Sequence, residues 1–192
     1  VNGRHRQLMC SAMALAQEVG TIISLDGGAQ RYDEEMKSIT EASHIVIVAR
    51  DYAEKYTCTT DLEEACRIIH ERGALIAGVT YGANGSYFVW PDGTFYRCQA
   101  FPQEHVVDTT GAGDSFHGAF LSKLVTLLRE LAPVEGLKTS TYAIDLLQHC
   151  GHSDLEKTAI FASAVAALNT QGIGGRSALP SLHVVNKLMG LE

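Results

Sequence analysis

The chain has 192 residues, of which 46% are hydrophobic and 19% charged, enough apolar material for one substantial core. Its net charge of −7 argues against a nucleic-acid-binding surface, which needs clustered lysines and arginines. The five cysteines form no Cys-x-x-Cys pair, and no segment has the pattern of a membrane span or a signal peptide. We therefore expect a soluble, cytoplasmic protein with reduced thiols and without zinc.

The hydrophobic pattern alternates helix-like and strand-like segments along the chain. Helical periodicity and capping residues predict helices at 8–19, 33–42, 60–72, 115–131, 153–168 and from 181 onward. Short runs rich in β-branched residues predict strands at 21–25, 45–48, 75–80, 86–90 and 94–99, the last two forming a hairpin. The run at 45–48, Ile-Val-Ile-Val, is apolar on both faces, which indicates an α/β protein with helices on each side of a parallel sheet.

The stretch 107–120, Val-Asp-Thr-Thr-Gly-Ala-Gly-Asp-Ser-Phe-His-Gly-Ala-Phe, carries the strongest chemical signal. Gly111 and Gly113 allow a tight turn whose backbone N–H groups come close to a ligand, and the following helix directs its positive dipole end to the same place. This pattern predicts an anion site in which Asp114 takes a proton from an attacking hydroxyl group. The alternative is a loop before a buried helix, with Asp114 as the helix N-cap.

This stretch resembles the C-terminal signature of the ribokinase-like (PfkB) carbohydrate kinases, Asp-Thr-x-Gly-Ala-Gly-Asp followed by a helix of small residues. The resemblance implies a ribokinase-like three-layer α/β/α fold with a mostly parallel sheet, and ATP as the phosphate donor. It implies that Asp114 is the general base, and that the backbone amides of Gly111, Ala112 and Gly113 stabilise the transferring phosphoryl group. The expected reaction is phosphorylation of a sugar or a related alcohol by ATP.

A second segment, 79–87, follows a predicted parallel strand and contains two glycines. Ligands of open α/β sheets gather beyond the carboxyl ends of the strands, and glycines there allow close backbone approach. In the family the equivalent Thr-x-Gly-x-x-Gly turn borders the nucleotide, which implies that Thr80, Gly82 and Gly85 lie near its phosphates and ribose. A plain turn into the hairpin is the alternative.

A third segment, 162–180, combines a helix of small residues with a glycine-rich loop. Small side chains leave room for a flat ring, and loop carbonyls ligate hard cations. The resemblance implies an adenine pocket here, with Asn169 at the nucleotide. It also implies a monovalent cation, K⁺, held by six residues: Asp108, Thr110, Ala167, Thr170, Gly172 and Ser177. Tight packing of this helix against the sheet is the alternative.

The family's Asn-x-x-Glu motif, which organises water around the Mg²⁺ of the nucleotide, has no match in this sequence. After the strand at 45–48 the chain reads Ala-Arg-Asp-Tyr-Ala-Glu, so Asp51 and Glu54 are the alternatives for that role. Arg31 and Arg50, each soon after a strand, are candidates for phosphate contacts. Exposed arginines in such positions are more commonly solvated or ion-paired.

The resemblance covers 1–192 as a single nucleotide-binding domain and as the C-terminal two thirds of a kinase, with residues 1–5 similar to the end of a mid-chain strand. In the family a small lid and most sugar contacts belong to the N-terminal part. We therefore expect the N-terminal strands and the lid to be missing and the chain alone to be inactive. The first strand would then expose an unpaired edge that favours self-association, for example as a homodimer.

The sequence leaves two other functions open. One is a kinase of a nucleoside or a vitamin-like alcohol, which shares the same signature, and the other is a nucleotide-binding module without catalysis. The expected partners are a nucleotide and a small-molecule sugar, not nucleic acid or a membrane. A panel of phosphate acceptors separates the two kinases, and nucleotide binding without turnover identifies the module.

Overall fold

A computed structural model describes residues 5–132 and 141–191; residues 1–4, which carry most of the resemblance to a strand end, lie outside these ranges. The helices are Arg6–Glu18 (α1), Met36–Glu41 (α2), Arg50–Thr57 (α3), Leu62–Glu71 (α4), Ala112–Leu131 (α5), Thr141–Gln148 (α6), His152–Asn169 (α7) and Leu182–Leu188 (α8). The strands are Ser24–Gly27 (β1), Ile45–Ala49 (β2), Ile76–Thr80 (β3), Ser86–Val89 (β4) and Phe95–Cys98 (β5).

The five strands of the described ranges form one open sheet in the order β1-β2-β3-β4-β5. β1, β2 and β3 pair in parallel, with Asp26 opposite Ile47 and Val48 opposite Val79. β4 is antiparallel to both β3 and β5, so four of these five strands point the same way. β1 is an edge strand, as the sequence predicts.

Helices cover both faces of the sheet, because alternate residues of the central strands point into two different cores. Val46 and Val48 belong to a core formed with α1, α2, α3 and α4. Ile45 and Ile47 belong to a core formed with α5, α6 and α7. This arrangement confirms the predicted three-layer α/β/α fold with a mostly parallel sheet.

Four helices differ from the sequence predictions. α6 lies where no helix was predicted. α3 follows β2 directly and was not predicted, although its buried Tyr52 and Tyr56 have helical spacing. α5 begins at Ala112, before the predicted start at Ser115, so the glycine-rich turn itself forms the beginning of the helix. α7 begins after Gly151, whose backbone provides the N-cap without a side-chain hydrogen bond; the predicted cap at Ser153 is wrong.

A group of stacked aromatic rings anchors α5 to the sheet. The ring of Phe88 in β4 is stacked with Trp90, Phe116 and Phe120 at centroid distances of 4.7, 6.3 and 5.6 Å. Phe88, Trp90 and Phe120 are fully buried. Because Phe116 and Phe120 lie on α5, this aromatic stack fixes the position of the first two turns of that helix.

α1 packs against the sheet through Met9 and Met13 but exposes apolar residues on another face. Leu8, Leu15 and Val19 are each at least 60% exposed and lie on one side of the helix. We call these three residues the α1 stripe. Neither α1 nor any other helix of the described ranges combines the length and apolar character needed to cross a lipid bilayer.

Candidate active site

The predicted glycine-rich turn forms the start of α5. Gly111 is the N-cap and has a φ of 74°, a left-handed conformation that favours glycine. A Cβ at Gly111 would lie 2.5 Å from the Cα of Gly175 and 2.8 Å from its carbonyl oxygen. A Cβ at Gly113, in contrast, would meet no atom within 4 Å. Gly111 therefore shapes the turn, whereas Gly113 leaves space at its surface.

Asp114 is exposed in the first turn of α5 and contacts a second carboxyl group. That group belongs to Asp26 in β1, and the two side chains are within hydrogen-bonding contact. Burial raises the pKa of Asp26 to about 6, the charge and hydrogen bond of Asp114 act in the same direction, and Arg31 opposes them. Asp26 was not predicted as a site residue from the sequence. Its place at the carboxyl end of a parallel strand is the signal that could have identified it.

His117 lies one turn after Asp114 and connects α5 to β1. Its Nε2 atom is 3.0 Å from the Oγ atom of Ser24. Burial lowers the pKa of His117 to about 4, although the nearby Asp114 acts to raise it. The imidazole ring is therefore neutral at pH 7.

A cavity of about 530 Å³ lies beside the start of α5. It is bounded by the connection between β3 and β4, by residues 100–106, by the first turn of α5 and by α7. Seven of the predicted site residues line it: Thr80, Gly82, Gly85, Ala112, Gly113, Ala167 and Thr170. Its volume and mainly apolar walls suit a small-molecule ligand.

The turn between β3 and β4 contains a short 3-10 helix, Gly82–Asn84. Gly85 has a φ of 90°, and a Cβ there would lie 2.1 Å from the carbonyl oxygen of Cys98. Packing against β5 therefore requires this glycine, as the hairpin interpretation expects. Gly82 has a φ of 52°, and a Cβ on it would meet no atom within 4 Å. The space beside Gly82 therefore allows a ligand in the cavity to approach its backbone, whereas the space beside Gly85 is filled by β5.

Hydrogen bonds join the loop before α5 to the loop after α7. Asp108 accepts from the N–H of Thr110 at one carboxylate oxygen and from the N–H of Gly174 at the other, each at 2.8 Å. The carbonyl of Thr170 accepts from the N–H groups of Val107 and Asp108 at 2.9 and 3.2 Å. The hydrogen bonds from Thr110 and Gly174 hold the pKa of Asp108 below its ordinary value, so its carboxylate is ionised at pH 7.

Of the other residues predicted for the cation, Thr110 lies on the first loop, Thr170, Gly172 and Ser177 lie on the second, and Ala167 lies in the last turn of α7. Thr170 Oγ1 donates to the carbonyl of Ala167 at 2.6 Å, and Ser177 Oγ donates to a carbonyl of its own loop. There is no room for a side chain at Gly172, since a Cβ there would lie 2.8 Å from the Cβ of Ala178. The donor set consists of oxygen atoms with one negative charge from Asp108, which fits K⁺.

Asn169, the last residue of α7, is fully buried and does not line the cavity. Its Nδ2 donates to the carbonyl of Gly175 at 3.2 Å, and Gly175 packs against Gly111. Its Oδ1 has no hydrogen-bond partner within the described ranges. Asn169 is therefore placed to hold the loop beside the glycine-rich turn rather than to contact a ligand in the cavity.

The side chains that follow β2 have other partners and do not form a magnesium site. Arg50 pairs with Glu54 at 3.4 Å and donates to the hydroxyl of Tyr81 at 2.8 Å. Asp51 accepts from the N–H of Gln30 at 2.6 Å. In the part of the chain that the structure describes, no group of three or more His, Cys, Asp or Glu side chains could hold a metal ion. Asp51 and Glu54 are thus held by protein partners within the described ranges.

The sheet is covered on both faces, and a cavity lies beyond the ends of its strands beside an acidic residue at the start of a helix. These features define an α/β protein with a candidate small-molecule site at the edge of the sheet. A family comparison supports this assignment. The model of the pfkB family carbohydrate kinases matches residues 2–182, and the chain belongs to this family.

The chain is similar to the probable fructokinase-2 of Arabidopsis thaliana, with 29% identity over 186 residues, 92% of this chain and 50% of that protein. A fructokinase double mutant from Vibrio cholerae O395, bound to fructose, ADP and a potassium ion, superimposes with a TM-score of 0.72 and 21% identity. This match covers 95% of our chain and 55% of the fructokinase.

Aminoimidazole riboside kinase from Salmonella enterica, in complex with aminoimidazole riboside and an ATP analog, matches with a TM-score of 0.68 and 20% identity. Here 93% of our chain and 56% of the riboside kinase are covered. At these identities the two structures support the fold. The chain spans about half the length of the relatives that it matches.

Proposed function

We propose that this chain carries the nucleotide site and the catalytic base of an ATP-dependent kinase that phosphorylates a hydroxyl group of a sugar or a sugar-like alcohol. The position of Asp114 carries the proposal: it is exposed in the first turn of α5, beside the glycine-rich turn that borders the cavity. Membership in the family supports the reaction, and the fructose and ADP of the matched fructokinase support these classes of substrate.

In this proposal the cavity holds the adenosine part of ATP. α7 lines it with Ser163, Ala166 and Ala167, whose small side chains leave room for a planar base. Thr80 and Gly82 border the cavity at the turn between β3 and β4. The phosphates would then reach the start of α5, where free N–H groups and the helix dipole favour negative charge.

The backbone at the start of α5 is proposed to stabilise the phosphoryl group during transfer. The N–H of Ala112 donates to the carbonyl of Thr109 at 3.1 Å, so the amides of Gly111 and Gly113 are the better placed donors. The space around Gly113 allows an anion to approach the main chain closely. Donors fixed in this way stabilise charge without reorganising during the reaction.

Asp114 is proposed to accept the proton of the acceptor hydroxyl. The oxygen of that hydroxyl forms a bond to the γ-phosphorus of ATP while the bond between this phosphorus and the ADP oxygen breaks. The products are the phosphorylated alcohol and ADP. The exposure of Asp114 gives an acceptor direct access to its carboxylate.

K⁺ is proposed to occupy the two joined loops, where Asp108, Thr110, Ala167, Thr170, Gly172 and Ser177 would supply its oxygen ligands. It would add positive charge behind the glycine-rich turn when bound. Mg²⁺ is proposed to enter bound to the phosphates of ATP, because Mg²⁺ is usually held by substrate phosphates together with one or two carboxylates.

The test is ADP release from ATP with a panel of hexoses, pentoses and nucleosides. The assay uses the 192-residue chain and the longest protein that contains it, because the chain spans about half the length of its relatives. We expect sugar-dependent ADP release from the longer protein and none from the chain alone. Turnover with nucleosides only would identify a nucleoside kinase. ATP binding without turnover in both proteins would identify a non-catalytic module and overturn the proposal.

A further inference from the structure

We propose that Asp26 and Asp114 form a proton-sharing carboxyl pair, in which Asp26 is a positioning residue that supports Asp114 as a base. The inference rests on the proposed function for the role of Asp114, but the pair itself can be tested without enzymatic activity. Asp26 contacts Asp114 and acts on the acceptor only through it.

The geometry of β1 and α5 brings the two carboxyl groups together. Ser24 and Asp26 are two residues apart in β1, so their side chains lie on the same face of the sheet. Asp114 and His117 are three residues apart in α5 and lie on the same face of the helix. The contact of 3.0 Å between Ser24 and His117 therefore aligns strand and helix so that Asp26 meets Asp114.

The surroundings of Asp26 favour the state in which the two carboxyl groups together carry one proton. Burial is the largest influence on Asp26, and the adjacent Asp114 carboxylate adds repulsion between like charges. Among the described residues, the cation that opposes these effects is Arg31, whose side chain lies against Gly28. His117, the other titratable group on this face of α5, is neutral at pH 7 and adds no positive charge. Because the two carboxyl groups are in contact, negative charge on one disfavours negative charge on the other.

The pair assists proton transfer in a defined way. When Asp114 takes the proton of the acceptor hydroxyl, one O–H bond breaks in the acceptor and one O–H bond forms on Asp114. The carboxylate of Asp26 accepts a hydrogen bond from this new O–H and so stabilises the protonated Asp114. Since Asp114 is exposed, it returns the proton to solvent after the product leaves.

The first test is a titration of the carboxyl carbons of the 192-residue chain by ¹³C NMR. We expect Asp26 to titrate near pH 6 in the unmodified chain, and about one pH unit lower in Asp114→Asn, where the like charge is gone. In the control Asp145→Asn, which removes an exposed carboxyl group on α6 and leaves both members of the pair, we expect the titration of Asp26 to be unchanged. An Asp26 that titrates identically with and without the Asp114 carboxyl group would overturn the inference.

The second test is the pH dependence of turnover in the longest protein that contains the chain. We expect Asp26→Asn to lower kcat about tenfold, to leave the KM for ATP unchanged and to move the acid limb of the profile to lower pH. The control Asp145→Asn, on α6, should leave both kcat and that limb unchanged. Full activity and an unmoved profile in Asp26→Asn contradict the positioning role. A coupled titration in a protein without any turnover refutes the proposed function instead and leaves the pair in place.

Discussion

The Oγ atom of Ser24 lies 3.0 Å from Nε2 of His117, which connects the edge strand of the sheet to the helix that carries Asp114. His117 is 8% exposed, and its Nδ1 atom has no hydrogen-bond partner within the described ranges. Protonation of this ring in the folded state would place a charge in the core that the nearby Asp114 offsets only in part. The connection between β1 and α5 therefore depends on a neutral histidine.

This dependence predicts a loss of stability in mild acid. The pKa of His117 is about 4 in the folded protein and near 6.5 when the chain is unfolded, so its contribution is complete above pH 6.5 and is lost as the pH falls toward 4. We expect His117→Gln to remove about 2 kcal/mol of the stability lost between pH 7.5 and 5. Chemical unfolding at pH 7.5 and at pH 5 measures this difference in the free energy of unfolding. The matched control is His105→Gln, because His105 is exposed.

The carboxyl group of Asp26 has the opposite pH dependence. Its pKa in the folded protein, about 6, is above the ordinary value of 3.8, so its contribution is largest below pH 3.8 and is lost as the pH rises through 6. We expect Asp26→Asn to stabilise the folded chain at pH 7.5 by about 1 kcal/mol, a value reduced for the partial exposure of the side chain. A melting temperature that does not rise at pH 7.5 would contradict this expectation.

Asp114→Asn tests the proposed base. Asparagine has nearly the same shape but cannot accept the proton, so we expect turnover to fall by about two orders of magnitude or more while ATP affinity is kept. Both measurements use the longest protein that contains the chain. Steady-state kinetics gives the turnover, and calorimetric titration with ATP gives the affinity. Near-normal turnover would exclude Asp114 as the base.

The two glycines of the α5 turn should respond differently to substitution. Gly113→Val adds atoms where nothing lies within 4 Å of the new Cβ, so we expect the fold to persist and the affinity for ATP to fall more than the affinity for adenosine. Gly111→Ala places a Cβ against Gly175 at a positive φ, so we expect loss of stability. Equal losses of ATP and adenosine binding in Gly113→Val would indicate general damage instead of a lost anion site.

We expect the 192-residue chain to self-associate through the α1 stripe and through β1, the edge strand of the described sheet. Unpaired strand groups and exposed leucines both favour contacts between copies. We expect Leu15→Glu to lower the association constant at least tenfold in analytical ultracentrifugation. Leu182→Glu is the matched control, since Leu182 in α8 is 64% exposed and Leu15 is 63% exposed. A monomeric unmodified chain would contradict the prediction.

The order of elements and the layers of the fold could be predicted, because the strand at 45–48 is apolar on both faces and glycines mark several helix ends. α3 could not, because its charged residues hide the buried pair Tyr52 and Tyr56. The glycine-rich turn and Asp114 were evident from spacing within one short segment. The contact between Asp26 and Asp114 was not, since it joins segments far apart in the sequence through the packing of β1 on α5.

The aromatic stack connects the stability of the core to the position of the proposed base. Phe116 and Phe120 hold α5 against Phe88, and the proposed base lies on the first turn of the same helix. A mutation that repacks these rings also moves Asp114, and displacements of about 1 Å at a reacting group are costly in rate. Variants with a more stable core at Phe88, Phe116 or Phe120 should therefore also be assayed for turnover, because a change at these positions affects both the stability of the core and the position of Asp114.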